Sequence, residues 1–313
     1  MHVCLNMIVK DAESTIARAL TSALPHIDSW CISDTGSTDN TCQIVCEFFA
    51  QHGVPGQLVL GKTAGFGEMR NHALDAAKAL VCQIDRAYIV FLDADDELRG
   101  DDRVFVPGSD AYRFEVEFGD CLFERVQMIR ARSKASWKYR IHETLVDAGS
   151  VSKGHLTLVA HPKSGEHVKY ARWLELSEQD LADMPDDTRV VFYAAQNAYD
   201  ARHFARAAEL YAKRSRMGGW DEEVWYSVLR CAQANECQGS YQTAAADYVR
   251  ADMLRPWRAE ASENLARMFR QLGEPDAARP WAERASKIGF PPREDILFVQ
   301  RGLYGGHELA RLK

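Results

Sequence analysis

The chain has 313 residues, of which 46% are hydrophobic and 27% charged. This is ordinary globular composition; it excludes collagen, coiled coil and bulk disorder, and the length suggests two domains. Lysine and arginine number 38 against 45 aspartate and glutamate, a net charge of −7, so nonspecific binding to nucleic acid or an anionic membrane is disfavoured. The longest apolar run, Ala87 to Leu92, is far short of the ~18 residues of a membrane span and reads as a buried strand. Met1 to Val9 lacks a basic leader and meets Lys10 and Asp11 at once, which is not a signal-peptide pattern. The 8 cysteines contain no Cys-x-x-Cys pair and are expected to be reduced and mostly buried in a cytoplasmic protein.

In chain order, His2 to Val9 predicts a strand, and Lys10 to Leu24 a helix with apolar positions Ile16, Ala19, Leu20 and Ala23. Trp30 to Ser33 predicts a second strand, followed by Asp34-Thr35-Gly36-Ser37. Thr38 or Asp39 is expected to cap a helix that runs to about His52. Leu58 to Leu60 is a third strand, Glu68 to Leu80 a helix behind Gly65-Phe66-Gly67, and Tyr88 to Leu92 a fourth strand ending in Asp93-Ala94-Asp95-Asp96. This order of strands and helices implies a mostly parallel, doubly wound sheet, with ligands at the carboxyl ends of its strands. From Asp110 to Val159 the texture becomes alternating. Tyr112 to Phe118, Phe123 to Ile129 and Thr144 to Val151 are expected to be antiparallel strands appended to the first sheet.

The second half is helical and repeats itself. Ala232, Gly239, Ala244 and Ala251 recur as Ala266, Gly273, Ala278 and Ala285, each 34 positions on, which is the tetratricopeptide period. Pro256 and Pro291 follow the second helix of each unit, and Phe192 to Met217 reads as an earlier, degenerate copy.

Four clusters carry chemistry. Asp93 and Asp95 supply hard oxygen ligands suited to Mg²⁺ or Mn²⁺ at a strand end, where an acidic turn is the plainer reading. Asp34 to Asp39 offers hydroxyls and carboxylates to a nucleoside edge, and also fits a capping loop. Gly65-Phe66-Gly67 invites a dinucleotide reading, but the third glycine of G-x-G-x-x-G is Arg70, which rejects a Rossmann oxidoreductase. Arg70-Asn71 at a helix start suits a base or phosphate, unless the arginine is merely solvated. His142-Glu143 lacks the second histidine of H-E-x-x-H, since position 146 is Val146, so a zincin is excluded. His142 is a candidate metal contact and Glu143 a candidate base, with hydrogen-bonded packing the plainer reading for the histidine. His155, His161 and His167 read as loop residues, and a hydrolase triad has no support.

Met7-Ile8-Val9-Lys10, Asp34 to Asp39, Arg70-Asn71 and Phe91 to Glu97 together resemble a family 2 glycosyltransferase with the GT-A fold, a Rossmann-like mostly parallel sheet with appended antiparallel strands. Trp137-Lys138-Tyr139-Arg140-Ile141-His142-Glu143 resembles a segment of a subgroup with C-terminal tetratricopeptide repeats, which includes bacterial peptide S-glycosyltransferases. The subgroup's Lys-Asn/Asp-Glu is here Lys10-Asp11-Ala12, with Glu13 next. The resemblance implies an α/β domain over 1–165, a helical linker over 166–186, repeats over 187–290 and a tail over 291–313. It implies inverting transfer of one sugar from a nucleotide-sugar donor, a UDP-sugar by analogy. Asp34, Asp39, Arg70 and Asp93 would bind the donor, and Asp95, Asp93 and His142 a divalent cation. Glu143 would be the base, with Asp96 or Glu97 as substitutes. The acceptor is a peptide, protein or glycan. Two other classes share some of these features: a metal-dependent nucleotidyltransferase and an inactive transferase-like scaffold. Trp220, Trp225, Tyr226 and Trp257 are read as exposed aromatics through which the repeats present a macromolecular acceptor or form a homodimer. The apolar tail from Ile296 to Leu312 is expected to pack on the last repeat or on the catalytic domain.

Overall fold

The computed structural model describes residues 1–61, 65–100, 108–161 and 167–304. The chain divides into two compact units, one of Met1–Gly119 with Phe123–Pro162, the other of Asp120–Leu122 with Lys163–Lys313. The expected boundary at 165–166 lies outside the described residues.

The first unit begins with β1 (His2–Val9), α1 (Ile16–Ala23), β2 (Ser29–Asp34), α2 (Thr41–His52), β3 (Gly56–Leu60), α3 (Phe66–Val81) and β4 (Ala87–Phe91). It continues through β5 (Glu97–Arg99), β6 (Ala111–Phe118), β7 (Cys121–Arg130), β8 (Ser136–Lys138), β9 (Thr144–Val146) and β10 (Val151–Ala160). The main sheet runs in the order β3-β2-β1-β4-β7-β6-β10-β5. β1 lies parallel to β2 and β4, and β2 parallel to β3. β2 and β4 are buried along their whole length, because helices cover both faces of a parallel sheet; β4 accordingly reads as an unbroken apolar run, while β2 carries Ser29, Ser33 and Asp34. Alternation in β1 sends Val3, Leu5 and Met7 to a core shared with Ile16, Leu20, Val45 and Phe49, while Cys4 faces the side packed by Leu74, Ala77 and Val81 of α3.

Three expectations need correction. The helix expected from Lys10 starts only at Ile16, because Asp11 takes a left-handed φ of 46° and the N–H groups of Asp11 and Ala12 donate to Ser37 Oγ and Thr41 Oγ1. The strand expected over Thr144 to Val151 splits into β9 and the start of β10, because Asp147 and Gly149 turn through positive φ. The appended strands are not all antiparallel: β7 runs antiparallel to β4, and β5 to β10, but β10 is parallel to β6.

The second unit is built from α4 (His167–Asp183), α5 (Thr188–Asp200), α6 (Phe204–Arg214), α7 (Asp221–Cys237), α8 (Tyr241–Leu254), α9 (Ala259–Gln271) and α10 (Pro275–Lys287), with the short β11 (Val299–Gln300). The 34-residue period has a physical basis. Ala232, Ala244 and Ala251, like Ala266, Ala278 and Ala285, are buried where paired helices meet. Gly239 and Gly273 take φ near +80° in the turn between the helices of each pair, a conformation that costs glycine nothing. In the degenerate first copy, Arg202 fills the left-handed position at φ 64°. The tail packs within this unit. Val299 and Tyr304 join Leu122 and Ala259 in one apolar cluster, and β11 pairs with Cys121 and Leu122. Residues 305–312 of the expected tail lie outside the described residues. Among the described residues no helix is long and apolar enough to cross a membrane.

The aromatic reading of the repeats is corrected in part. Trp220 and Trp257 are 44% and 43% exposed, but Trp225 is 1% exposed and belongs to the core. Tyr226 is half-buried against Phe298.

Candidate active site

Register places the sequence clusters along one edge of the sheet. Val9 lies opposite Asp34 and Asn6 opposite Phe91, so the segments after β1, β2 and β4 all leave the sheet at the carboxyl ends of parallel strands. Asn6, buried in β1, donates to the carbonyls of Cys31 (3.0 Å) and Ala73 (2.9 Å) and ties α3 to this edge.

The centre of the edge is Arg70. Its Nη2 donates to Asp93 Oδ1 at 2.7 Å and its Nε to Glu143 Oε1 at 2.5 Å. Its guanidinium also lies 5.1 Å from the centroid of the Trp137 ring, which meets Phe91 edge-on. The side chain is only 13% exposed, so Arg70 is not a solvated arginine. Burial disfavours its charge, but the carboxylates of Asp93 and Glu143 outweigh that penalty and raise its pKa. Residues 73 positions apart thus meet as a carboxylate–guanidinium–carboxylate chain.

The glycines before Arg70 serve the same junction. A Cβ on Gly67 would stand 2.4 Å from the carbonyl oxygen of Tyr139, and the N–H of Phe66 donates to the carbonyl of Arg140 at 3.0 Å. Gly65-Phe66-Gly67 therefore admits the 138–140 segment. Asn71 bonds to the backbone of Trp137, a role nothing in the sequence announces. Tyr139 and His142 take left-handed φ values of 78° and 50°, rare for residues with side chains.

The Asp93 to Glu97 loop is held from α1. Arg18 donates to the carbonyl of Asp95 at 2.8 Å and pairs with Glu97 at 3.1 Å, and His161 approaches the same glutamate at 2.6 Å. Asp96 is buried; burial first, and then the charges of Asp93 and Asp95 against that of Arg125, push its pKa up to about 7. Asp93 and Asp95 stand half-buried beside it, and two carboxylates so placed fit a divalent cation, which is commonly held by one or two carboxylates plus substrate phosphates. Among the described residues no three histidine, cysteine, aspartate or glutamate side chains form a metal-binding group. His142 is therefore not gathered with Asp93 and Asp95 into a three-ligand set.

Asp34 and Asp39 are engaged in shaping their own loop. Asp34, 4% exposed, accepts from the N–H groups of Gly36 and Ser37 and from Ser37 Oγ. Asp39 accepts from Thr41 N and Oγ1 and from Glu13 N; the Thr41 hydroxyl bond is the main cause of its lowered pKa. Neither Thr38 nor Asp39 sits at the helix cap. Asn40 does, without a side-chain cap bond, and its own N–H and carboxamide donate to Glu13. Glu13, the displaced glutamate of the family pattern, thus ties the two loops together.

His155 lies in β10 and His167 begins α4, so neither is a loop residue. The cysteines are free, as expected, but Cys46, Cys82 and Cys237 are exposed and only Cys4, Cys31 and Cys231 fully buried.

Comparison with known proteins bears on this edge. No curated protein matches the chain. Solved structures of MamA are among those the chain is similar to. One from MSR-1 is 21% identical over 38% of this chain and 67% of its own, with a TM-score of 0.35. One from AMB-1 is 23% identical over 39% and 72%, with a TM-score of 0.34. Residues 4–104 match the model of glycosyl transferase family 2. That stretch runs from within β1 past β4 and the Asp93 to Glu97 loop, and it is similar to family 2 glycosyltransferase domains.

Proposed function

We propose that the protein moves one sugar from a nucleotide-sugar donor, a UDP-sugar, to a macromolecular or glycan acceptor with inversion at the anomeric carbon, with a divalent cation, Mn²⁺ or Mg²⁺, as cofactor. The observation that carries this reading is the Asp93–Arg70–Glu143 chain at the carboxyl edge of β4, of which Arg70 and Asp93 fall within the stretch that matches the family 2 model. Five carboxylates, Asp93, Asp95, Asp96, Glu97 and Glu143, stand around this edge against the guanidinium groups of Arg18, Arg70 and Arg125. A nucleoside diphosphate meets net repulsion there unless a cation accompanies it, and that supports cation dependence.

Arg70, charged at every working pH, orients the donor phosphates and the two carboxylates it bridges. Asp93 and Asp95 are the proposed cation ligands. A bound cation would offset the negative charge that develops on the leaving nucleoside diphosphate. Asp34 and Asp39 shape the loop that borders the nucleoside. Arg70 holds Glu143 through Oε1; Oε2 is the proposed acceptor of the proton from the incoming nucleophile as the anomeric carbon gains oxocarbenium character. In the second unit, the exposed Trp220 and Trp257 are the proposed contacts for a macromolecular acceptor.

Two measurements test these roles. Glu143→Gln keeps an oxygen for Arg70, so donor affinity should hold while transfer falls about a hundredfold or more. Undiminished transfer would remove Glu143 as base. Asp95→Ala should abolish turnover and weaken cation-dependent nucleotide binding with the melting temperature unchanged. Full activity in excess EDTA would remove the cation from the mechanism.

A further inference from the structure

We infer that Asn71 is a positioning residue: by gripping the backbone of Trp137, its carboxamide sets where Glu143 stands against Arg70. The effect on turnover rests on the transferase reading above; the structural part stands without it.

Asn71 Oδ1 accepts from Trp137 N at 2.7 Å, and Asn71 Nδ2 donates to Trp137 O at 2.8 Å. One side-chain amide thus satisfies both polar groups of one residue. β8 is three residues long and pairs on one side with β9, where Trp137 stands opposite Leu145. With both backbone groups of Trp137 turned to Asn71, this is the non-hydrogen-bonded kind of cross-strand pair, and the carboxamide takes the place of an absent neighbouring strand. Further ties follow the same line. Lys78 donates to the carbonyls of Ser133 and Ala135, Phe66 N to that of Arg140, and Gly67 leaves room for that of Tyr139. The chain then passes through left-handed positions at Tyr139 and His142 and delivers Glu143 to Arg70. Arg70 and Asn71 are consecutive on α3, so the helix holds one end of this segment with Asn71 and meets the other with Arg70. The side-chain chemistry is specific. An aspartate at 71 keeps the acceptor for Trp137 N but turns a carboxylate oxygen against Trp137 O, and alanine removes both bonds.

The experiment measures Asn71→Ala and Asn71→Asp in two ways. In amide hydrogen exchange, the Trp137 to Glu143 segment should exchange about tenfold faster while the amides of α3 beyond Leu74 keep their rates. In nucleotide release from a UDP-sugar with Mn²⁺, turnover should fall about tenfold or more with the donor KM changed less than about twofold, and alanine should have little further effect in a Glu143→Gln background. Unchanged exchange at Trp137 overturns the inference, as do losses that simply multiply in the double variant. A wild type that releases no nucleotide from any nucleotide sugar defeats the transferase reading instead, and the exchange result then decides the role of Asn71 alone.

Discussion

Replacing Arg70 by alanine should lower nucleotide release from the donor by about two orders of magnitude and raise the donor KM. The expectation follows from what the guanidinium touches. It makes one charge-assisted hydrogen bond to Asp93 and one to Glu143, and bonds of this kind contribute ~1.5–3 kcal/mol each. Asp93 is 30% exposed, so its bond counts near the lower end of that range. Removing the guanidinium also leaves Asp93 and Glu143 without the charge that bridges them and the donor diphosphate without one of its counter-charges. A total of ~3 kcal/mol corresponds to roughly a hundredfold. Arg70→Lys tests the geometry separately: an ammonium is one point charge and does not reproduce the fork that addresses both carboxylates. It should fall between alanine and wild type. Steady-state kinetics with varied donor decide the matter, and unchanged donor affinity and turnover in Arg70→Ala would show that the bridge is only architectural.

The largest effect on stability is expected at Trp225. Its ring is fully enclosed, its indole N–H donates to the carbonyl of Ala251 at 3.0 Å, and the Arg258 guanidinium lies 4.3 Å from the ring centroid. Truncation to alanine leaves a large cavity and removes the indole hydrogen bond, a loss of ~3–5 kcal/mol. Against a total of ~5–15 kcal/mol for a domain, that is a large fraction. The transition of the helical unit should move down by about 10 °C or more, measured by differential scanning calorimetry. Trp220→Ala, at an exposed site, should shift it little. A Trp225→Ala transition within a degree or two of wild type would contradict this assignment of the core.

Much of the architecture was legible because burial and period impose themselves on sequence. β4 is apolar throughout because both of its faces are covered, and β1 nearly so, with Asn6 its one buried polar residue. The helix pairs showed their period through Ala232, Ala266 and the turn glycines, where close packing and positive φ admit few residue types. The errors are equally physical. Trp225 is not distinguished from Trp220 by residue type, yet Val228, Leu229 and Ala232 follow it at helical spacing and place it on the buried stripe. The break between β9 and β10 lay in Asp147-Ala148-Gly149, a turn signal inside an otherwise strand-like run.

The candidate site was legible as a set of residue types but not as a set of partners. Arg70, Asp93 and Glu143 each stood out locally, but nothing in local pattern says that one guanidinium joins the other two. Asp34 and Asp39 show the reverse. Their chemistry suits a ligand, yet their carboxylates go to backbone N–H groups and hydroxyls within the loops. Asn71 was read with Arg70 as a ligand contact, but its partner is the backbone of a residue 66 positions away, which local pattern does not announce.

Cleavage of the bond between sugar and nucleotide at this edge is tested by incubating the purified protein with Mn²⁺ and a panel of nucleotide sugars, without acceptor, and measuring free nucleotide. Slow release of UDP from a UDP-sugar is expected, suppressed by EDTA and by Asp95→Ala. The transferase proposal fails if no nucleotide is released from any nucleotide sugar while pyrophosphate appears from a nucleoside triphosphate, or if no nucleotide binds at all.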